Sequence, residues 1–258
     1  DKGLRVIDVA DPAAPVEIGF YDTPGNAWGV AAAGNTVYVA DGFNGLRLLD
    51  VSNPATPVDA GVFDTPGEAV NVTLVGNLAY IADSYSGLRI VDITNRATPV
   101  NVGSLDTPEA AKDVAVAGAY AYVADYDGLV IMDVANPAAP SEVGFYDTLG
   151  FAKDVYVVGS IAYVADDDRG LRVVNVTNPA APSEVGVYDT PGNAEGVYVV
   201  GSTAYMADGA EGLRIVNVNN PVVPSELGFH ATAGYAKGLS VVGSTAYVAA
   251  GFGGVSLV

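Results

Sequence analysis

Four short apolar runs follow one another between Ala27 and Thr65, and each is closed by residues that break strands. The runs are "AWGVAAAG" (27–34), "TVYVAD" (36–41), "GLRLLDV" (45–51) and "PVDAGVFDT" (57–65). All are rich in Val, Leu, Ala and aromatic residues and are about strand length. All are bounded by Gly, Asn, Asp or Pro, the residues that build turns. No stretch of ten or more residues free of Gly and Pro carries a helical period, so helical repeats are disfavoured. The links "AGNT" and "VGST" are short enough for hairpins, with Gly supplying a left-handed turn residue. The runs are apolar on both faces, the pattern of strands covered on both sides.

The same four runs return along the whole chain. The Gly opening "GLRVIDV" recurs at Gly3, Gly45, Gly87, Gly128, Gly170 and Gly212, and "GGVSLV" ends the chain with a degenerate copy. The step is 42 residues, with one of 41 where the loop "DYDG" is shortened. Four strands per roughly 40–45 residues is the period of a propeller blade. The reading is therefore all-β: a six-bladed β-propeller of four-stranded antiparallel blades, in one domain over residues 1–258. The alternative is a β-solenoid, whose coils are shorter and which needs polar caps that are not visible here. The blocks "GLRIVDV…NPxxP" and "AYVADxxxGL" resemble the LVIVD repeat of bacterial and archaeal cell-surface proteins. That resemblance covers essentially the whole chain, implies the propeller and a surface setting, and implies no particular chemistry. Asn175 and Asn217 depart from it by replacing the Asp that ends the third strand. The sixth unit has Ala231 and Ala250 where the others have Asp.

With strands named A to D outward from the axis, the B–C loops and the D–A crossovers open on one face. The A–B and C–D turns open on the other and are monotonous. The B–C loops keep a constant frame around variable centres: "DGFNG", "DSYSG", "DYDG", "DDDRG", "DGAEG", "AGFGG". Variable loops on a rigid scaffold are where binding concentrates. The candidate binding residues are Phe43, Tyr85, Tyr126 and Phe252 from these loops and Trp28, Phe151 and Tyr235 from the crossovers. Aromatic rings beside carboxylates suit sugar stacking or a protein anchor.

Composition narrows the partners. There are 30 acidic residues against 11 basic ones, a net charge of −19, which repels nucleic acid and anionic membranes. No Cys is present, so disulfides and thiolate chemistry are excluded. No signal peptide or membrane-spanning run is seen. The only His, His230, sits in an outer-strand slot held elsewhere by Tyr, and no nucleophile elbow, metal-binding His pair or phosphate loop accompanies it. No catalytic residue is assigned. The aspartates ending the B strands (Asp41, Asp83, Asp125, Asp166, Asp208) and the D strands (Asp22, Asp64, Asp106, Asp147, Asp189), with the arginines opening the C strands (Arg5, Arg47, Arg89, Arg172, Arg214), read as a repeated structural salt bridge or Asx turn between neighbouring elements. At the axial start of strand A, Asp113 and Asp154 with Asn71 are the one candidate for a hard cation such as Ca²⁺, which takes oxygen ligands. Otherwise no cofactor is expected.

The functional expectation is a non-enzymatic, extracellular or cell-surface module, monomeric as a domain, binding protein or glycan through the B–C and D–A loop face. The alternative is a channel-based small-ligand or cation-binding protein or enzyme. Closure is expected to complete one blade from both ends. Residues 4–9 would provide its C strand, in preference to the shorter copy at 255–258.

Overall fold

The computed structural model describes residues 3–258; residues 1 and 2 of the expected domain lie outside it. The protein is an all-β, six-bladed β-propeller with four antiparallel strands to a blade. The chain falls into two units, one reaching Val123 and including Asp133–Glu142, the other holding Ala124–Met132 and Val143–Val258.

In the first unit β1 (Leu4–Asp8) pairs with β2 (Val16–Tyr21), the C and D strands of a first repeat. The next sheet is β3 (Gly29–Ala33), β4 (Thr36–Ala40), β5 (Leu46–Asp50) and β6 (Val58–Phe63), in that order. Then follow β7 (Asn71–Val75), β8 (Leu78–Ala82), β9 (Leu88–Asp92) and β10 (Val100–Leu105). The third repeat comprises β11 (Ala111–Ala117), β12 (Tyr120–Asp133) and β13 (Ser141–Ala152). Its shortened loop lets strands B and C merge into the single run β12. In the second unit β14 (Asp154–Val158), β15 (Ile161–Ala165), β16 (Leu171–Asn175) and β17 (Ser183–Tyr188) form one sheet. A second is β18 (Gly196–Val200), β19 (Thr203–Ala207), β20 (Leu213–Asn217) and β21 (Ser225–His230). The last is β22 (Gly238–Val242), β23 (Thr245–Ala249) and β24 (Val255–Leu257). Four repeats are thus meanders of four strands, and in the third the merged β12 stands for two of them.

Strand B is the most buried because it has strands on both sides and blades on both faces. Tyr38, Ala40, Leu46 and Leu48 of one blade pack on Val72, Ile81, Val91 and Ile93 of the next. In the second unit Tyr163, Leu171 and Val173 do the same against Val197, Val199 and Met206. This double coverage is why the runs are apolar on both faces. The D strands carry a bulge opposite Leu48/Leu49, Val173/Val174 and Ile215/Val216. Beside it lies a glycine that meets the following repeat's C–D turn. A Cβ on Gly61 would stand 1.9 Å from the Arg96 carbonyl oxygen, and one on Gly186 2.1 Å from that of Pro221. Only glycine admits that approach.

Closure differs from the expectation. The edge of β23 is taken by β24, through Tyr247↔Leu257, Val248↔Ser256 and Ala249↔Val255, while β1 pairs with β2. The physical reason is chain entropy: β24 follows β23 after one short turn, Gly251–Gly253, and a short loop closes at far lower cost than a chain-length one.

Candidate functional site

The repeated frame explains where the B-strand Asp and the C-strand Arg of the repeat go. Strand B ends in an Asp whose backbone N–H closes the B–C loop onto a Gly carbonyl, as in Asp83 to Gly87 (2.8 Å) and Asp208 to Gly212 (2.7 Å). Its side chain turns inward and is buried in all five repeats that have it. One carboxylate oxygen accepts the N–H of the Gly in "DTPG": Gly25 to Asp41 (3.1 Å), Gly67 to Asp83 (3.0 Å), Gly192 to Asp208 (3.1 Å). In the fourth repeat the Thr148 hydroxyl donates to Asp166 instead, at 2.5 Å. Thr232, in the repeat where Ala250 replaces the Asp, donates to the Gly234 carbonyl (2.6 Å), and Thr107 makes the same bond to the Glu109 carbonyl (3.0 Å) in the repeat that keeps Asp125.

The Arg that opens strand C completes the pair from within the blade. Arg214 Nε lies 3.3 Å from Asp208, Arg172 Nε 3.3 Å from Asp166, Arg89 Nε 3.5 Å from Asp83 and Arg47 Nε 3.7 Å from Asp41. Its other end reaches an acid on strand D, which the previous blade's Tyr also holds. In the second unit Arg214 meets Glu226 at 3.5 Å, and the Tyr188 hydroxyl donates to Glu226 at 2.6 Å. In the first, Arg47 pairs with Asp59, to which the Tyr21 hydroxyl donates at 3.3 Å. Burial is expensive for these carboxylates. It pushes Asp166 up to about 6 and Asp83 and Asp208 upward, against the hydroxyl, amide and Arg contacts that favour the charged form. Burial and the Glu226 contact raise Tyr188 to about 12. The salt bridge among the expected arrangements is therefore present in four repeats, while Val130 stands at the Arg slot of the repeat with Asp125 and Arg5 pairs with Glu17 and Asp22. The linking Thr, Tyr and D-strand acids escaped the sequence reading because they are offset from the blade period: Tyr188 and Glu226 are 38 residues apart.

In four repeats the B–C loop bridges to the next crossover. Gly42 pairs with Ala69, Ser84 with Ala111, Asp167 with Ala194 and Gly209 with Ala236. In the first unit Phe43 and Tyr85 stand at loop tips, 74% and 78% exposed. Trp28 is half-exposed, and its indole N–H donates to Glu68 at 3.0 Å. Beside it is a pocket of about 160 Å³ between Leu4 and Arg5 on one side and Ala27 and Val30 on the other. In the second unit Phe252 is fully exposed on the 3₁₀ turn before β24. Tyr235 donates its hydroxyl to Glu195 at 2.8 Å, which with burial raises the phenol to about 12. Tyr126 and Phe151 stack at 4.5 Å between ring centres. Trp28–Glu68 and Glu195–Tyr235 are the same pairing in two places, 40 residues apart. A search at that offset would have found them.

The three residues read as cation ligands are engaged elsewhere. Asn71 Nδ2 donates to Asp113 Oδ1, and Asn71 Oδ1 accepts the Val72 N–H at 2.7 Å. Asp154 Oδ2 accepts the N–H of Val197 on the following A strand at 2.8 Å. Among the described residues no three His, Cys, Asp or Glu side chains group as a metal ion requires. No helix among them is long and apolar enough to cross a membrane. His230 lies at the exposed end of β21, opposite Leu213.

Solved structures share this fold. A Lactobacillus plantarum protein matches with a TM-score of 0.81 at 15% identity, over 100% of this chain and 91% of that one. A chain of the mitotic checkpoint complex gives 0.79 at 12% identity, over 96% and 82%. The β-propeller domain of Myceliophteria thermophila Cps50 (Swd1) gives 0.74 at 12%, over 94% and 84%. At such identities the likeness defines the class, a β-propeller, and nothing finer. No curated protein sequence matches. The LVIVD repeat matches six times, over residues 1–23, 24–65, 66–107, 109–148, 149–190 and 191–232, and the chain belongs to the LVIVD-repeat family.

Proposed function

We propose that the protein is a non-catalytic binding module of the cell surface or extracellular space, recognising glycan or protein through its B–C and D–A loops. One observation carries the reading: three loop tips hold exposed aromatic rings, while the carboxylates that end the B strands are buried and paired with the scaffold's arginines. Phe43 and Tyr85 project from loops fixed by bridges to the next crossover, and Phe252 projects from the 3₁₀ turn before β24. At the B-strand ends, Asp41, Asp83, Asp166 and Asp208 are held by Arg and by turn amides or hydroxyls. A rigid frame presenting amphipathic rings loses little entropy on binding. The acidic surface, with 30 acidic residues to 11 basic ones, argues against nucleic acid and for a neutral or basic partner. A glycan array run with the unmutated protein and with the triple variant Phe43→Ser, Tyr85→Ser, Phe252→Ser tests this. Binding should fall at least tenfold in the variant at an unchanged melting temperature. Equal binding by both would reject the aromatic tips as the contact surface.

A further inference from the structure

One corner of the second unit collects three left-handed non-glycine residues and the shortened loop. The first residue of each B–C loop adopts a left-handed backbone. It is glycine at Gly42, Gly209 and Gly251, Ser84 (φ 48°) in one repeat of the first unit, and Tyr126 (φ 45°) and Asp167 (φ 50°) in the two repeats that meet at this corner. In the crossover between them Leu149 (φ 66°) stands where four other repeats have Pro. Three of the four left-handed non-glycine residues among those described therefore border one place. Each such residue is strained, and strain of this kind clusters at functional sites. The loop that carries Tyr126 is also the one shortened by a residue, and Val130 replaces the Arg found at that slot in the other repeats.

The side chains placed there form an ordered surface. Phe151 stacks on Tyr126 at 4.5 Å and remains 42% exposed, with exposed Leu149 two residues before it. Lys153 Nζ sits 5.6 Å from the Tyr126 ring centre and 3.6 Å from Asp167 Oδ2. Asn193 Nδ2 donates to Asp167 Oδ1. An apolar ring pair thus adjoins an ammonium, a carboxylate and an amide that hold one another in place.

We propose that this corner is a subsite for a neutral sugar. A pyranose has an apolar C–H face and a rim of hydroxyls that both donate and accept. The Phe151–Tyr126 pair takes the face. Asp167, Lys153 and Asn193 take the rim, with acceptor and donors already oriented. The cation is neutralised by Asp167, and the whole protein carries a charge of −19, so an acidic sugar is disfavoured. The assignment rests on the proposed binding role and names its ligand class.

Saturation-transfer NMR with cellohexaose, chitohexaose and mannohexaose tests it, with polygalacturonate as the acidic comparison. At least one neutral oligosaccharide should show transfer, and polygalacturonate none. Phe151→Ala should remove the signal. Asp167→Gly restores the residue found at Gly42 and Gly209, so it should keep or raise the melting temperature while weakening binding at least tenfold. A purely structural Asp167 would instead lose melting temperature with binding unchanged. Transfer that survives both substitutions but disappears with the Phe43, Tyr85 and Phe252 triple variant overturns the subsite and leaves the binding role standing. Silence of the unmutated protein with every neutral probe overturns the sugar assignment, and array binding then decides the role separately.

Discussion

The aspartates that end the B strands and those that end the C strands recur with the same period, yet they sit in opposite environments. Asp166 is fully buried, and burial pushes its carboxyl up to about 6. Asp50 lies at the surface and caps its own turn. The Ser52 hydroxyl (2.6 Å) and backbone N–H (2.8 Å) hold its carboxyl below the usual value. Asp92 does the same with Thr94. A repeated letter therefore reports a repeated geometry without saying which side of it faces water. The C-strand positions show their tolerance directly. Asn175 and Asn217 replace the Asp, and their side-chain oxygens still accept the N–H two residues on, at 2.9 Å each. No B-strand Asp is replaced by Asn; the one change is to Ala250.

The largest effect should come from cutting the buried member of this comparison. Asp166→Ala removes the acceptor of Thr148 and Arg172 together. It leaves a buried guanidinium short of its partner, a change that costs about 3–5 kcal/mol. Asp50→Ala should shift the denaturation midpoint only slightly. Urea unfolding of both variants checks the contrast, and equal losses would mean that burial does not separate the two sets.

Glycines on strand D make the same contrast without charge. A Cβ at Gly186 would lie 2.1 Å from the Pro221 carbonyl oxygen, whereas one at Gly228 meets nothing within 4 Å. Gly186→Ala should cost about 1–3 kcal/mol by forcing the turn away. Gly228→Ala should fall within about 0.5 kcal/mol of neutral. A thermal melt of each resolves them.

How far such contrasts could be read beforehand depends on the repeat offset. The propeller, the strand order and the sharing of one face by the B–C and D–A loops were legible, because all recur at the blade period. So was the pairing of B-strand Asp with C-strand Arg, since both lie in one repeat. Links between repeats were not. Tyr188 to Glu226 spans 38 residues and Trp28 to Glu68 spans 40, so aligned copies place the partners in different columns. The end of the chain also escaped. The longer apolar run at Leu4 looked the stronger strand, but proximity along the chain favoured Val255–Leu257 beside β23. At the candidate site the aromatic residues were identified singly. That Tyr126 and Phe151 form a pair, and that Trp28 and Tyr235 are tethered to carboxylates, depends on crossover geometry that the sequence does not display.

A third effect is smaller and has opposite signs in the two sets. The folded chain keeps the Asp166 proton up to about pH 6, while an unperturbed carboxyl releases it near 3.8. Between those values the folded state binds more protons, so stability should rise as pH falls from 7 toward 5. The lowered Asp50 and Asp92 contribute the reverse: stability present above the unfolded value and lost as pH falls through their folded values. Denaturant midpoints followed from pH 7.5 to below the ordinary carboxyl value of 3.8 should thus climb first and drop only beneath that value. Asp166→Asn should flatten the climb even though it lowers the whole curve.

The smallest expected effect concerns the axial starts of the A strands, where carboxylates again divide by what they already hold. A hard cation needs oxygen ligands free to converge on it. Asn71 presents its nitrogen to Asp113 and spends its oxygen on the Val72 N–H. The carboxylate of Asp154 accepts the Val197 N–H, and a Cβ at Gly196 would come within 3.3 Å of it. These side chains stitch one A strand to the next and serve the scaffold as Asp166 does. A ligand confined to the folded state at a hundredfold excess over its Kd would add about 2.7 kcal/mol. Millimolar calcium should therefore leave the melting temperature where a chelator leaves it, and Asn71→Ala should lower it with or without calcium by loss of the strand-to-strand bond. A calcium-dependent rise that Asp113→Ala abolishes would return these residues to the role of ligands and move Asp113 from the scaffold to the site.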